Sequence, residues 1–559
     1  MNIGFASAPA PSCSRVRMRL LRAVLCAAAC ILVAADRHAS AESDPNPLMQ
    51  GRGGDLVFPA SCGSSVQPRF DAALAALHSF WYKQAREEFT AITQTDPDCA
   101  MAHWGVAMSV WTQLWAPPQP ASLKIGQEEI ARARAAAHKS ARESDYIEAL
   151  AAFYSDTDKL DHRSRALAYS NKLEALAQKY PGDREAKIFY ALSLLASADP
   201  LDKTYKNQLA AGAILERLFA EIPTHPGVAH YIIHAYDYPA LAERALAAAL
   251  KYQVCVTVVP HAVHMPSHTY VLLGKWKETI DSNTAGEQAE KTRGSPEDRI
   301  HDLDYLVLAY LQLAQDAKAK QAVDLAREIE DDMVARKHDT GLRSRHYNLA
   351  ALEARWALER HDWAAAAALP LRPNRYAYAE AIPHFARAVG LARSGHPDAA
   401  QGEIEQLTAL VKALTGAKLP YWAGQVEIER NIAAAWIAHA RGQQDEAVAL
   451  MQAASRQEDG LETHDTLNPG PIGMSADEGL GTLLIELKRP TEALKAFEAS
   501  LRIARNRLQS YAGAATAAAT AGDAENARKY YAKVIELAGA GDGARPEIAE
   551  AKAYLARSQ

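Results

Sequence analysis

Near the C-terminus two residues return at a fixed interval: Ala493 and Phe497 recur as Ala527 and Tyr531, each 34 residues later. A small residue followed four positions on by an aromatic one occupies a single helical face. The small residue lets two helices approach, and the large one fills the groove against the next helix pair. A repeat of this length cannot bury its apolar face alone and must stack on neighbours, which leads to an elongated array rather than a ball with one core. The same pair opens the N-terminal part at Ala85 and Phe89, followed by Ile92 and then Asp96-Pro97, where proline ends the helix.

Further hairpins follow from helix-ending turns that precede an apolar periodic run. Examples are Gly274-Lys275-Trp276, His361-Asp362-Trp363, Gly395, Gly442 and Gly522-Asp523. Alanine is abundant and only 7% of the 559 residues are aromatic, which argues against a sheet protein. The fold class expected is all-α, a tetratricopeptide-type α-solenoid of about eight to ten helical hairpins. Residues 116–122 and 464–474, rich in Pro, Gly and Asn, read as loops interrupting the array.

Met18 to Ala41 has the pattern of a secretory signal: Arg19 and Arg22, the apolar stretch Leu25 to Ala35, and Ala39-Ser40-Ala41 as cleavage site. Met18 is the alternative start, since it shortens the leader to the usual length. Export to the periplasm or medium is the expectation. Without residues 1–41 the chain loses five Arg and one Asp, so the 61 basic and 67 acidic residues become 56 and 66, a net charge of −10. No basic cluster remains for nucleic acid. No apolar stretch long enough to span a membrane remains either. Cys62, Cys99 and Cys255 stay, an odd count that allows one intramolecular disulfide; Cys62 and Cys99 are the expected pair and Cys255 a buried thiol. The expected organisation is residues 1–41 signal, 42–69 N-terminal segment, 70–270 hairpins with a His-rich segment, 271–460 central hairpins, and 461–559 a loop with C-terminal hairpins.

Nineteen histidines spread evenly would place about 1.5 in any stretch of 44 residues, yet 225–268 holds His225, His230, His234, His261, His264 and His268. His230 and His234 are four apart, so both rings leave one helical face. His264 and His268 repeat that spacing 34 residues later, but Pro266 between them points to a helix start there, with His264 in the lead-in loop. Converging imidazoles can hold Zn, Cu, Ni or Fe, and His230, His234, His261, His264 and His268 are the candidate ligands. His301, Asp237 and Asp304 can add ligands or orient the rings. Two other readings stand beside this: a buried hydrogen-bond network between helices, and a pocket for a peptide or anionic small molecule.

Trp81, Trp104, Trp111 and Trp115 read as packing of the first hairpins, and Glu380 with His384 as a surface pair. The loop Glu462-Thr463-His464 with Asn468-Pro469-Gly470-Pro471 is expected to be a linker, with folding over the solenoid as the alternative. No HExxH, GxSxG, GxxxxGK[ST] or CxxC is present, so catalytic residues are unassigned and binding is favoured over catalysis.

Long segments resemble a group of bacterial secreted tetratricopeptide-repeat proteins of uncharacterised biochemical function. They are HSFWYKQAREEF, DPDCAMAHWGVAMS, HPGVAHYIIHAYD, HAVHMPSHTYVLLGKW, LDYLVLAYLQL and YAEAIPHFARAVGLA with the later QVEIER, and the resemblance around them runs from about residue 60 to 540. The resemblance implies an exported α-solenoid and brings no catalytic residues. The chain departs from that group at 464–480, where a more basic segment is expected. The function expected is an exported scaffold that takes protein or peptide partners through its concave face around residues 225–270. The alternative is a metal-binding protein or metal-dependent enzyme using the histidines at 230–268.

Overall fold

The structure, a computed structural model, describes residues 55–114, 117–199, 202–255, 258–338, 341–461, 468–542 and 545–557. The leader, its cleavage site, Trp115 and Glu462-Thr463-His464 lie outside the described residues. From Gln67 to Arg557 helix follows helix, each packed on its successor in a chain of hairpins, with no strand among the described residues. This is an all-α solenoid of the tetratricopeptide type, and the core is a string of clusters running along it.

The repeat pair does the packing its spacing predicts. Ala493, Phe497, Ala527 and Tyr531 are all buried, as are Ala85, Phe89 and Ile92. Phe497 lies flat against Gly481 and Gly513, where any β-carbon would collide with its ring. The turn after the helix Leu508–Ala521 needs Gly522, whose φ of 81° is the left-handed value that a side chain disfavours. Asp523 then caps the helix Ala524–Leu537 by accepting from the Asn526 amide at 3.1 Å.

Eight helices build the site described below, labelled here in chain order. They are α1 (Gln67–His78), α2 (Pro226–Ala235), α3 (Ala242–Cys255), α4 (Pro260–His264), α5 (Pro266–Leu272), α6 (Trp276–Arg293), α7 (Pro296–Gln312) and α8 (Arg343–Leu358). Proline at the first turn starts α2, α4, α5 and α7, where its missing N–H costs nothing.

The superhelix is wound tightly enough that distant hairpins touch. Trp276 Nε1 donates to the Asn506 carbonyl at 2.8 Å, the Asp542 amide to the Ala314 carbonyl at 3.1 Å, and Arg545 pairs with Asp316 at 2.5 Å. At the other end the His78 ring meets Tyr231 across 153 residues.

The structure departs from several sequence expectations and agrees with others. Residues 120–122 begin the helix Pro120–Ala135 rather than continuing a loop. Cys255 is a free thiol closing α3 and is only partly buried, because Val254 beside it faces solvent. Trp104 and Trp111 are core residues, Trp111 stacked on Phe153 with centroids 3.6 Å apart. Glu380 is not the partner of His384, whose Nδ1 meets Glu403 at 2.5 Å although Pro383 sits inside the same helix. Cys62 and Cys99 form a disulfide, with their Cα atoms 4.7 Å apart.

Candidate metal centre

The six histidines of the crowded segment, with His78 and His301, divide into three groups. His230, His234 and His261 form one set whose ligating nitrogens all lie within 4.8 Å of one another; His264, His268 and His301 form a second; His78 and His225 join Glu185 in a third. The five candidates from the sequence therefore belong to two neighbouring sets, and His301 completes the second.

The third group is a closed hydrogen-bond network. His78 Nε2 and His225 Nε2 sit 2.9 and 2.7 Å from the two Glu185 oxygens. His78 Nδ1 faces the Tyr231 hydroxyl, and His225 Nδ1 accepts from the Gly227 amide. Burial by itself would raise the Glu185 carboxyl, yet His225 and His78 beside it hold it well below the usual carboxylate range. Every ring nitrogen has a partner, so the reading of the histidines as a buried hydrogen-bond network between helices applies here. Gly227 allows the approach: a β-carbon there would stand 2.6 Å from His78 Nδ1.

The second trio differs. His264 ends α4, two residues before Pro266 opens α5, so it is helical rather than in a loop; His268 lies on α5 and His301 on α7. His268 Nδ1 donates to Asp237 Oδ2 at 2.8 Å. His264 Nδ1 faces Asn283 Oδ1 at 2.7 Å and Asp302 Oδ1 at 2.6 Å. Asn283 Nδ2 donates to the Thr279 carbonyl, which fixes the amide so that its oxygen faces the ring. His301 Nδ1 lies 3.1 Å from Asn348 Oδ1, and Asn348 Nδ2 donates to Asp304, fixing that amide likewise. All three rings are thereby locked as Nδ1–H tautomers, and their Nε2 atoms carry lone pairs.

Those lone pairs meet. His264 Nε2 is 3.0 Å from His268 Nε2 and 3.2 Å from His301 Nε2. Two such nitrogens cannot hydrogen-bond each other. The Tyr305 hydroxyl, 3.4 Å from His268 Nε2, can donate to one of them at most. A proton is a poor remedy, because burial and then the neighbouring rings push His264 far below its usual value, and burial pushes His301 down to about 3.

In the first trio, His230 Nδ1 donates to the His78 carbonyl at 2.7 Å, one of the carbonyls that the C-terminus of α1 leaves free. His234 Nε2 lies 3.2 Å from His230 Nε2. Phe80 packs against all three rings, with centroids 4.5, 5.3 and 5.8 Å from His230, His234 and His261. Tyr305 does the same for the second trio at 4.8, 5.4 and 5.1 Å from His264, His268 and His301.

No protein-family model and no curated protein matches the sequence. Among solved structures, yeast Tom70 is similar at 11% identity and a TM-score of 0.28, covering 88% of this chain and 89% of that one. The Cut9–Hcn1 hetero-tetramer of the APC/C is similar at 10% and 0.29, covering 88% and 96%. The P58(IPK) TPR domain is similar at 10% and 0.22, covering 89% and 99%.

Asp304, expected as a ligand or orienting group, acts at one remove. It takes Asn348 on one side and Arg355 Nε, at 2.9 Å, on the other. Arg355 in turn donates to the Pro471 and Gly470 carbonyls and to Asn468 Oδ1, at 2.6, 2.9 and 2.9 Å. Residues 468–471 are therefore pinned onto the interior of the solenoid and are not a plain linker. Sequence reasoning missed Asp302, Asn283, Asn348, Arg355 and the His78 carbonyl. Residues that anchor a ring have no period of their own, and only the adjacency of Asp302 to His301 was there to be seen.

Proposed function

We propose that the protein is a metal-binding α-solenoid that holds a transition-metal ion on His264, His268 and His301. The observation that carries this reading is the meeting of three lone-pair nitrogens whose opposite ring nitrogens are already committed as donors. A cation bound by neutral imidazole relieves that conflict, with Asp237, Asp302, Asn283 and Asn348 as the outer partners such ligands use. Zn, Cu, Ni and Fe all accept three neutral imidazoles. Three protein donors leave a coordination position for water or substrate, so the reading admits catalysis without assigning a reaction.

The test is elemental analysis of untagged protein folded with each of these metals in turn, with melting before and after a chelator. About one or more ions per chain is expected, together with a melting temperature that falls on stripping. Trace metal only, with unchanged melting, would sink the proposal. Export to an oxidising compartment is part of this reading and is supported by the Cys62–Cys99 disulfide.

A second reading, an exported scaffold for a protein or peptide partner, rests on the solenoid itself and on a cavity of about 150 Å³ in its interior. Val271, Leu272, Trp276, Leu308 and Tyr421 line it beneath the loop at 468–471, and it would suit an apolar side chain.

A further inference from the structure

We infer that the two histidine trios form one dinuclear centre, which takes a pair of ions bridged by a small oxygen anion such as hydroxide. This rests on the metal reading above and goes beyond it. The spacing of the rings carries it. Across the boundary between the trios, His234 and His268 have centroids 6.4 Å apart, and His261 and His264 6.5 Å. Within the trios, His234 and His261 are 6.2 Å apart, and His268 and His301 6.4 Å. The gap between the sets thus exceeds the widest spacing inside each by no more than 0.3 Å, and the six rings are one continuous cluster.

The chain places both sets by one device. His261 and His264 share the short helix α4, one ring for each trio, so the two sets cannot separate without unwinding it. Each set gives three neutral nitrogens, which leaves every ion an open position, and the open positions of adjacent ions are where a shared ligand bridges.

Charge points to an anion there. The carboxylates that touch the rings are Asp237 on His268 and Asp302 on His264. Asp304 is matched by Arg355, both fully buried, and offsets nothing further. Two divalent ions therefore bring more charge than the two ring-bound carboxylates remove, and a bridging hydroxide reduces the excess. The site admits only a small bridging ligand, because His230, His234, His264 and His268 are no more than 8% exposed, only His261 and His301 are partly open to solvent, and Phe80 and Tyr305 cover the rings.

The test loads the full-length chain with Zn(II) and joins elemental analysis to X-ray absorption. The expected result is about two ions per chain, imidazole as the protein ligand, and a metal–metal vector near 3.5–4 Å. A His230→Ala/His234→Ala variant should keep about one ion and lose the vector. One ion per wild-type chain, or two without a metal–metal vector, would overturn the dinuclear centre while leaving the mononuclear reading standing. No bound zinc here, with no copper, nickel or iron held when the chain is folded with each of them, would overturn both. The wild-type measurement decides the matter even if the variant fails to fold.

Discussion

Buried carboxyl groups give the residue scale its clearest energetic lever. Glu429 lines the interior beside Trp422 and Tyr378, and burial pushes its carboxyl up to about 8, against a smaller downward pull from Arg355. Below about pH 4.5 folded and unfolded chains both hold this proton, and the group costs nothing. As pH rises the unfolded chain releases it first, so stability is lost progressively until the folded carboxyl also ionises near pH 8. Glu429→Gln should leave urea stability unchanged near pH 4.5 and raise it by about 1–3 kcal/mol at pH 8. An equal effect at both pH values would show that the side chain acts through packing. Among the histidines, density in the sequence exposed the cluster, and spacing of four exposed His230 with His234. What the sequence did not show was the tautomer of each ring, because that is set by Asn283, Asn348 and the His78 carbonyl, which tertiary packing alone brings there.

At the scale of elements, the interval that returns Ala493 and Phe497 as Ala527 and Tyr531 made the hairpins legible, since close helix packing demands small and large residues at fixed offsets. The lengths of irregular segments were harder to read. Pro120 starts a helix where a proline-rich stretch looked like a loop, and Pro266 follows a helical His264. In both cases proline marks a first turn, and composition alone does not tell a first turn from a break. Phe497, which is 1% exposed and wedged between Gly481 and Gly513, carries the contact between its helix and both neighbours. Phe497→Ala should cost about 3–5 kcal/mol in urea unfolding, and Phe497→Leu distinctly less. A cost below about 1 kcal/mol would mean that the flanking helices collapse onto the space.

For the whole molecule, the contacts between distant hairpins change what a solenoid ordinarily does. Repeat arrays join mainly through nearest neighbours and can melt in pieces. Here the links from Trp276 to Asn506, Asp316 to Arg545 and His78 to Tyr231 tie remote hairpins together. Urea transitions reported by Trp104 and Trp111 should therefore coincide with those reported by Trp422 and Trp436. Arg545→Ala, which leaves Asp316 without this partner, should pull the two apart; separate transitions in the wild type would mean the links are weak. The same closure bears on the metal reading. Its ligands sit under Phe80 and Tyr305, on helices held from α1 to α8, and only His261 and His301 are partly open to solvent, so an ion has a narrow way in and out. Equilibrium preference among divalent ions favours copper wherever it is free. A site with so narrow an entry exchanges its ion slowly: the metal it keeps is the one at hand where the chain folds, and the choice is made by the compartment.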